Sequence, residues 1–162
     1  KPVCSMALNW CYNEPWPTAA NNSIISWRTR PKPAYYAVKA ALRPVLASAR
    51  IPKFSWAEGE LFTPELWILN DLPDCVPAGK VKAFLQIGTE EILLIEWEYP
   101  MLESNTNMPG PVVRYCLPHK ETDRIKLVLK VDGRPEMNSE YTLLYRPKEG
   151  KENENQVRRL NF

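Results

Sequence analysis

From Val45 onward apolar and polar residues alternate with a period of two, and this pattern constrains the fold more than any other feature of the chain. The clearest case is Arg124 to Val131, where Ile125, Leu127, Leu129 and Val131 fall on one side and Lys126 and Lys130 on the other, as in a strand with one buried face. Comparable segments lie near Val45 to Trp56, Glu65 to Asn70, Lys80 to Ile87, Glu91 to Tyr99, Val112 to Leu117 and Glu140 to Arg146. Gly, Pro, Asn and Asp separate them and supply the turns. Seven short strands within about 100 residues predict an antiparallel, immunoglobulin-like β-sandwich, so the chain should be mainly β. The stretch from Tyr99 to Pro118 carries four of the sixteen prolines and reads as a wide loop with one short strand inside it.

Ahead of Val45 the pattern is different. Val3 to Trp10 is mostly apolar without alternation, which suits a strand covered on both faces in a parallel sheet. Pro15 and Pro17 then exclude regular structure. The loop from Asn13 to Thr29 is long for a compact connection, a length found mostly in functional or disordered segments. Pro33 suits the first turn of a helix whose Tyr35, Val38 and Leu42 share one stripe, and Pro44 ends it. Trp10, Asn13, Glu14 and Trp16 therefore crowd the carboxyl end of a strand that is followed by a helix, the place where α/β barrels build active sites. A chain of 162 residues cannot hold a whole barrel of roughly 250. The expected organisation is a barrel remnant over 1–44, the sandwich over 45–147 and a polar tail over 148–162.

Composition narrows the function classes. The formal net charge is +2, and it is unevenly spread: residues 1–48 hold six basic side chains and one acidic, whereas 49–147 hold eleven and fifteen. That shift fits two bodies of different origin. It lacks the concentrated basic face of a nucleic-acid binder, so no nucleic-acid partner is expected. No long apolar span is present, and no membrane partner is expected either. The chain begins with Lys1 and shows no leader, which reads as an excised piece whose targeting signal lies upstream. Cys4, Cys11, Cys75 and Cys116 have no CxxC spacing and the sole histidine is His119, so no metal site is expected. The thiols read as free and buried, with a Cys75–Cys116 bridge left open by the sequence.

The residues from Ser5 to Pro44, with Trp10, the run Asn13-Glu14-Pro15-Trp16-Pro17 and Arg30-Pro31-Lys32-Pro33, resemble the last strand, loop and helix of the catalytic barrel in glycoside hydrolase family 2. That family includes β-galactosidases, β-mannosidases and exo-glucosaminidases. The second half is similar to the sandwich that follows the barrel in the mannosidase and glucosaminidase branches, through Pro44-Val-Leu-Ala-Ser-Ala-Arg, Trp56-x-x-Gly-Glu-x-Phe and Leu66-Trp-Ile-Leu-Asn-Asp. The resemblance implies that the chain is the C-terminal part of a retaining β-glycosidase, with a carbohydrate substrate held through the parent barrel and no cofactor. It implies that Trp10 is an aromatic wall of the sugar pocket. It also places both catalytic glutamates on earlier strands, so this chain carries no catalytic residue.

Asn13, Glu14 and Trp16 are the remaining substrate-binding candidates, because a sugar offers C–H patches to aromatic faces and hydroxyls to amides and carboxylates. Glu14 reads either as a substrate contact or as a solvated loop carboxylate, and Trp16 either borders the pocket or closes the loop. Glu58, Glu60, Glu90 and Glu91 fall in sandwich turns and faces, where charges are ordinarily just solvated. One strand and one helix cannot cover their own apolar faces, so the remnant packs on the sandwich, self-associates or stays mobile. The competing function is an independent sandwich module for carbohydrate or protein, which an exposed row drawn from Trp67, Trp97, Tyr99, Tyr115, Tyr141 and Tyr145 would favour.

Overall fold

In chain order the elements are β1 (Ile25–Ser26), β2 (Arg30–Pro31), α1 (Pro33–Ala41), β3 (Val45–Arg50), β4 (Ser55–Ala57), β5 (Leu61–Phe62), β6 (Glu65–Asn70), β7 (Gly79–Ile87), β8 (Glu90–Tyr99), β9 (Asn107–Val112), β10 (Tyr115–Cys116), β11 (Arg124–Val131) and β12 (Ser139–Arg146). The structure, a computed structural model, describes Leu8 and residues 11–18 and 22–148. The expected strand over Val3 to Trp10, apart from Leu8, and the tail after Lys148 lie outside the described residues.

Five strands form one sheet in the order β4-β12-β11-β7-β8, three form a second in the order β3-β6-β9, and β5 pairs with β10. Every strand pairing is antiparallel except β12 with β4, which is parallel. The fold is thus a mainly β, antiparallel sandwich. The β7–β8 hairpin shows how the sequence sets register. Ile87 pairs with Glu90, leaving Gly88-Thr89 as a two-residue turn, and Gly88 takes φ 58°. A turn of this kind follows the right-handed twist of the strands, and glycine reaches positive φ without a Cβ clash.

The period-two pattern becomes the core. Val81, Ala83, Leu85 and Ile87 of β7 and Ile125, Leu127, Leu129 and Val131 of β11 are buried together with Ala47, Leu66 and Ile68 of the opposite sheet. Trp56 meets Phe62 edge-on, with ring centroids 4.9 Å apart. The outer face of the five-stranded sheet is instead laced by ion pairs, including Lys80–Glu98 at 3.0 Å, Lys82–Asp132 at 3.1 Å, Lys130–Glu91 at 2.8 Å and Lys126–Glu140 at 2.6 Å. Tyr141 reaches across to β3, where its hydroxyl lies 3.1 Å from Ser48 Oγ and accepts the Ala49 N–H at 3.2 Å.

Two sequence patterns prove to be turn chemistry. In Trp56-x-x-Gly-Glu, Gly59 has φ 75°, and the Glu60 carboxylate accepts the Ala57 N–H at 2.8 Å and the Lys53 ammonium at 2.7 Å. In Leu66-Trp-Ile-Leu-Asn-Asp, Asn70 is fully buried. Its amide donates to the carbonyls of Asp74 and Glu103, both at 2.9 Å, and its side-chain oxygen accepts the Leu72 N–H at 3.0 Å. A buried amide so satisfied stabilises the two loops it joins.

Several expectations need correction. The segment from Val45 to Trp56 is two strands, because the chain bends after Arg50 and Pro52 has no N–H to continue a ladder. The region from Tyr99 to Pro118 holds β9 and β10 rather than one strand. Pro109 and Pro111 are accommodated because β9 is an edge strand with β6 on one side only, where a missing donor breaks no pairing. Between these prolines, Gly110 packs so close to Trp97 that a Cβ there would sit 2.5 Å from the indole ring. The helix stops at Ala41, short of Pro44, and buries no residue; Leu42, expected on its apolar stripe, is 72% exposed. Cys75 and Cys116 are free and exposed, and Cys11 is half-buried, so none of these is a buried thiol and the open bridge is not formed. Cys4 lies outside the described residues.

Leu127 is 0% exposed, while Leu144 on the neighbouring strand is 53% exposed. Leu127→Ala should therefore cost about 2–5 kcal/mol of stability, and Leu144→Ala should stay within about 0.5 kcal/mol of the parent. Thermal melts of the two variants check this. A Leu127→Ala melting temperature within a degree of the parent would mean that β11 faces the other way.

Candidate functional site

Residues 11–18 and 22–32 are cross-linked to one another around a turn. The Ile24 and Ile25 N–H groups both donate to the Tyr12 carbonyl, at 3.2 and 3.0 Å, and the Glu14 N–H donates to Ile25 O at 3.0 Å. Asn13 thereby bridges Ile25 in parallel. The long loop foreseen from Asn13 to Thr29 thus contains a hairpin, since β1 returns as β2 through Trp27, Arg28 and Thr29. Arg28 and Thr29 have φ 62° and 60°. Two successive left-handed residues without glycine, one of them β-branched, store conformational strain.

Glu14 supplies an opposing interaction. It is 7% exposed, and its carboxylate accepts the Lys32 ammonium at 2.7 Å, the Trp27 N–H at 2.9 Å and the Ser23 hydroxyl at 3.0 Å. Lys32 also donates to Ser23 Oγ at 3.0 Å. The pattern Arg30-Pro-Lys-Pro explains how Lys32 arrives there. Pro31 sits in β2 opposite Ile25, Lys32 is the extended N-cap of α1, and Pro33 opens the helix, where its missing N–H has no consequence. The Lys32 N–H meanwhile donates to Ile24 O at 3.0 Å.

These contacts fix the chemistry of Glu14. The Lys32 ammonium first, then the Trp27 amide, hold its carboxyl at about 2, below the ordinary 4.5, although burial pushes the other way. Such a group is ionised at neutral pH and is poorly matched to proton transfer there. Its burial and bonding also rule out the solvated loop carboxylate considered above.

Of the other candidates, Asn13 is exposed, Trp16 is 63% exposed, and Trp10 lies outside the described residues. Tyr12 and Trp27 are exposed beside them. The structure therefore places Asn13 and Trp16 on the outer surface of the unit and turns Glu14 inward onto Ser23, Trp27 and Lys32. Residue type and spacing alone do not point to these three. One signal was present: Glu14 is the sole acid in residues 1–48, among six basic side chains. Among the described residues, no group of three or more His, Cys, Asp and Glu is placed to hold a metal ion. No described helix is long and apolar enough to cross a membrane. Glu58, Glu60, Glu90 and Glu91 are bound by His119, Lys53, Lys120 and Lys130 on the sandwich.

No family model matches the chain. It is similar to β-mannosidase B of Aspergillus niger, with 39% identity over 93 residues, covering 53% of this chain and 11% of the relative. It is also similar to β-mannosidase B of Emericella nidulans, with 36% identity over 92 residues, and to that of Aspergillus flavus, with 28% identity over 138 residues, covering 82% of this chain and 15% of the relative. The chain thus spans only between 11% and 15% of the length of these curated relatives. Among solved structures, the CARDB domain of the PF1109 protein from Pyrococcus furiosus superposes with a TM-score of 0.51 at 13% identity, covering 64% of this chain and 94% of that one. That likeness concerns the sandwich fold alone.

A carboxyl whose value is lowered on folding contributes stability that is present above its unfolded value and is lost as pH falls through the folded one. The Glu14 cluster should therefore stay intact from neutral pH to below 4.5 and open as pH falls through about 2. A carboxyl-detected NMR titration of the chain should give a Glu14 midpoint near 2, and Lys32→Ala should move it up toward 4.5. A parent midpoint already near 4.5 would mean that the cluster does not form.

Proposed function

We propose that this chain is the C-terminal part of a retaining β-glycosidase of glycoside hydrolase family 2, from the β-mannosidase branch. In this reading residues 1–44 complete the catalytic barrel, 45–147 form the sandwich behind it, and 148–162 are a polar tail. Trp10, Asn13 and Trp16 lie on the sugar side of the barrel end, and a carbohydrate bound in that barrel is the partner. The observation that carries the proposal is the surface of the N-terminal unit. α1 buries no residue, and Tyr12, Trp16, Trp27, Tyr36 and Leu42 are all exposed. Large apolar side chains left exposed offer a contact surface, and a preceding barrel is the body that would cover them. The length of the mannosidase relatives, of which this chain matches at most 15% over 138 residues, supports the same reading.

Retaining hydrolysis uses two carboxyl groups about 5 Å apart, one as nucleophile and one as acid and base. Glu14 is the sole acid of residues 1–48, and its carboxylate is engaged by three donors. The two working glutamates are therefore assigned to the preceding part of the polypeptide, where the family resemblance puts them. The mannosidase names of the relatives favour a β-mannoside over other β-glycosides. An independent binding sandwich is less well supported. Tyr99 and Tyr145 are buried, Trp67, Trp97, Tyr115 and Tyr141 are half-buried, and the outer sheet face carries paired charges rather than an aromatic row.

The test is to assay the 162-residue chain and the longer polypeptide against nitrophenyl β-glycosides. The chain alone should give no turnover, and the longer protein should act on the β-mannoside. Trp10→Ala in the longer protein should lower kcat/KM by about tenfold or more, equivalent to roughly 1.4 kcal/mol of lost transition-state stabilisation. Turnover by the chain alone, or a longer protein inert on every β-glycoside, would overturn the proposal.

A further inference from the structure

Glu14 is the one acidic side chain in the unit that carries Asn13 and Trp16, yet it is buried where they are exposed. Its two carboxylate oxygens divide the work. Oε2 takes the Trp27 N–H at the entrance to the strained Arg28-Thr29 turn, while Oε1 takes both Ser23 Oγ and Lys32 Nζ. The cluster thereby closes three segments onto one another: the Asn13–Trp16 run, the approach to β1 at Ser23, and the start of α1 at Lys32. Each is separately tied by a backbone bond, from Glu14 N–H to Ile25 O, from Ile24 N–H to Tyr12 O and from Lys32 N–H to Ile24 O. Those bonds set the paths of the strands. The carboxylate adds a side-chain anchor between the residue following Asn13 and the residue before the helix.

We propose that Glu14 and Lys32 form a positioning pair, with Ser23 as their shared hydrogen-bond partner, that holds Asn13 and Trp16 in the orientation in which they meet the sugar. Glu14 itself gives no proton to the substrate and takes none from it. The proposal rests on the glycosidase function proposed above. It adds Lys32 and Ser23 to the residues that shape the pocket, and it makes the Arg-Pro-Lys-Pro pattern a device for delivering an ammonium to that loop as well as a helix start. The physical basis is buried charge. A carboxylate that is 7% exposed is held by donors fixed in three different segments; removing Lys32 leaves it poorly solvated, and removing Glu14 takes away the acceptor on which those donors converge. The loop then relaxes away from its bound geometry, and a displacement of an ångström at a positioning element can cost up to roughly a hundredfold in rate.

The experiment measures kcat/KM on nitrophenyl β-mannoside for the longer polypeptide and its Glu14→Ala, Glu14→Gln, Lys32→Ala and doubly substituted Glu14→Ala/Lys32→Ala forms, each over a pH series. Glu14→Ala and Lys32→Ala should each lower kcat/KM by roughly 10- to 100-fold. The double variant should fall no further than the worse single one, since the pair acts as a unit. Glu14→Gln, which keeps the shape and an acceptor for Trp27, should retain more activity than Glu14→Ala, and the pH limbs should coincide in every variant. In parallel, amide exchange on the 162-residue chain should show the Trp27 N–H losing protection in Glu14→Ala while β11 keeps its own, which reports the clamp even if a longer variant fails to fold. Single variants within twofold of the parent, losses that multiply in the double variant, a shifted pH limb, or unchanged Trp27 protection would each overturn the pair. Activity that survives with an inert Glu14 removes this role alone. A longer protein inert on every β-glycoside removes the glycosidase reading and this role with it.

Discussion

The aliphatic row of β11 is the constraint on which the rest of the sandwich depends. Ile125, Leu127, Leu129 and Val131 lie between β7 and β12 in the five-stranded sheet, and they pack toward the shorter row of Ala47, Leu66 and Ile68. A slip of one residue would turn this row outward and bring Lys126 and Lys130 in. The outer face opposes such a slip independently. Lys126 and Lys130 find Glu140 and Glu91 there, so the register that buries the aliphatic side chains also pairs the charges. Exposed pairs of this kind contribute little individually. Their value here is that they agree with the core about which way the strand faces.

The N-terminal unit is held by different physics. Among its described residues Ile24 is the one buried apolar side chain, and its order comes from polar contacts: the Glu14 carboxylate, a few backbone bonds and a helix begun by proline. Its connection to the sandwich is similarly polar. Arg43 donates from Nε to the Ala40 carbonyl and from its two terminal nitrogens to the Glu136 carbonyl and Ser139 Oγ. Asp71 N–H reaches Pro44 O at 2.7 Å. Directional bonds define geometry without supplying the large burial term, and Tyr12, Trp16, Trp27, Tyr36 and Leu42 are left exposed.

The longer strands of the sandwich, β9 apart, are readable in the sequence because each carries its own periodicity. Glu65 to Asn70 and Arg124 to Val131 keep the bounds the sequence predicts, and the alternation of Arg124 to Val131 matches its burial except at Val128, which is buried as well. What periodicity cannot show is where two segments meet. The hairpin of β1 and β2 is only two residues long on each side and is stabilised by Glu14 from 13 positions away, so no local pattern announces it. β9 was hidden for a related reason. Its two prolines read as a loop signal, and they are compatible with a strand only once the strand is known to lie at an edge. In the candidate site, residue type and resemblance point to Asn13, Glu14 and Trp16. The inward turn of Glu14 depends on Lys32 and Ser23, whose approach is a tertiary fact.

The same prolines have a consequence for crowding. The three-stranded sheet has two borders, and an unprotected border is a template on which a neighbouring chain can grow a cross-molecular ladder. On one side Pro109 and Pro111 remove two donors within β9. On the other, the Tyr141 hydroxyl occupies the Ala49 N–H of β3. Continuous hydrogen-bond rows are thus interrupted along both borders of this sheet, which disfavours growth of a ladder from chain to chain at high concentration.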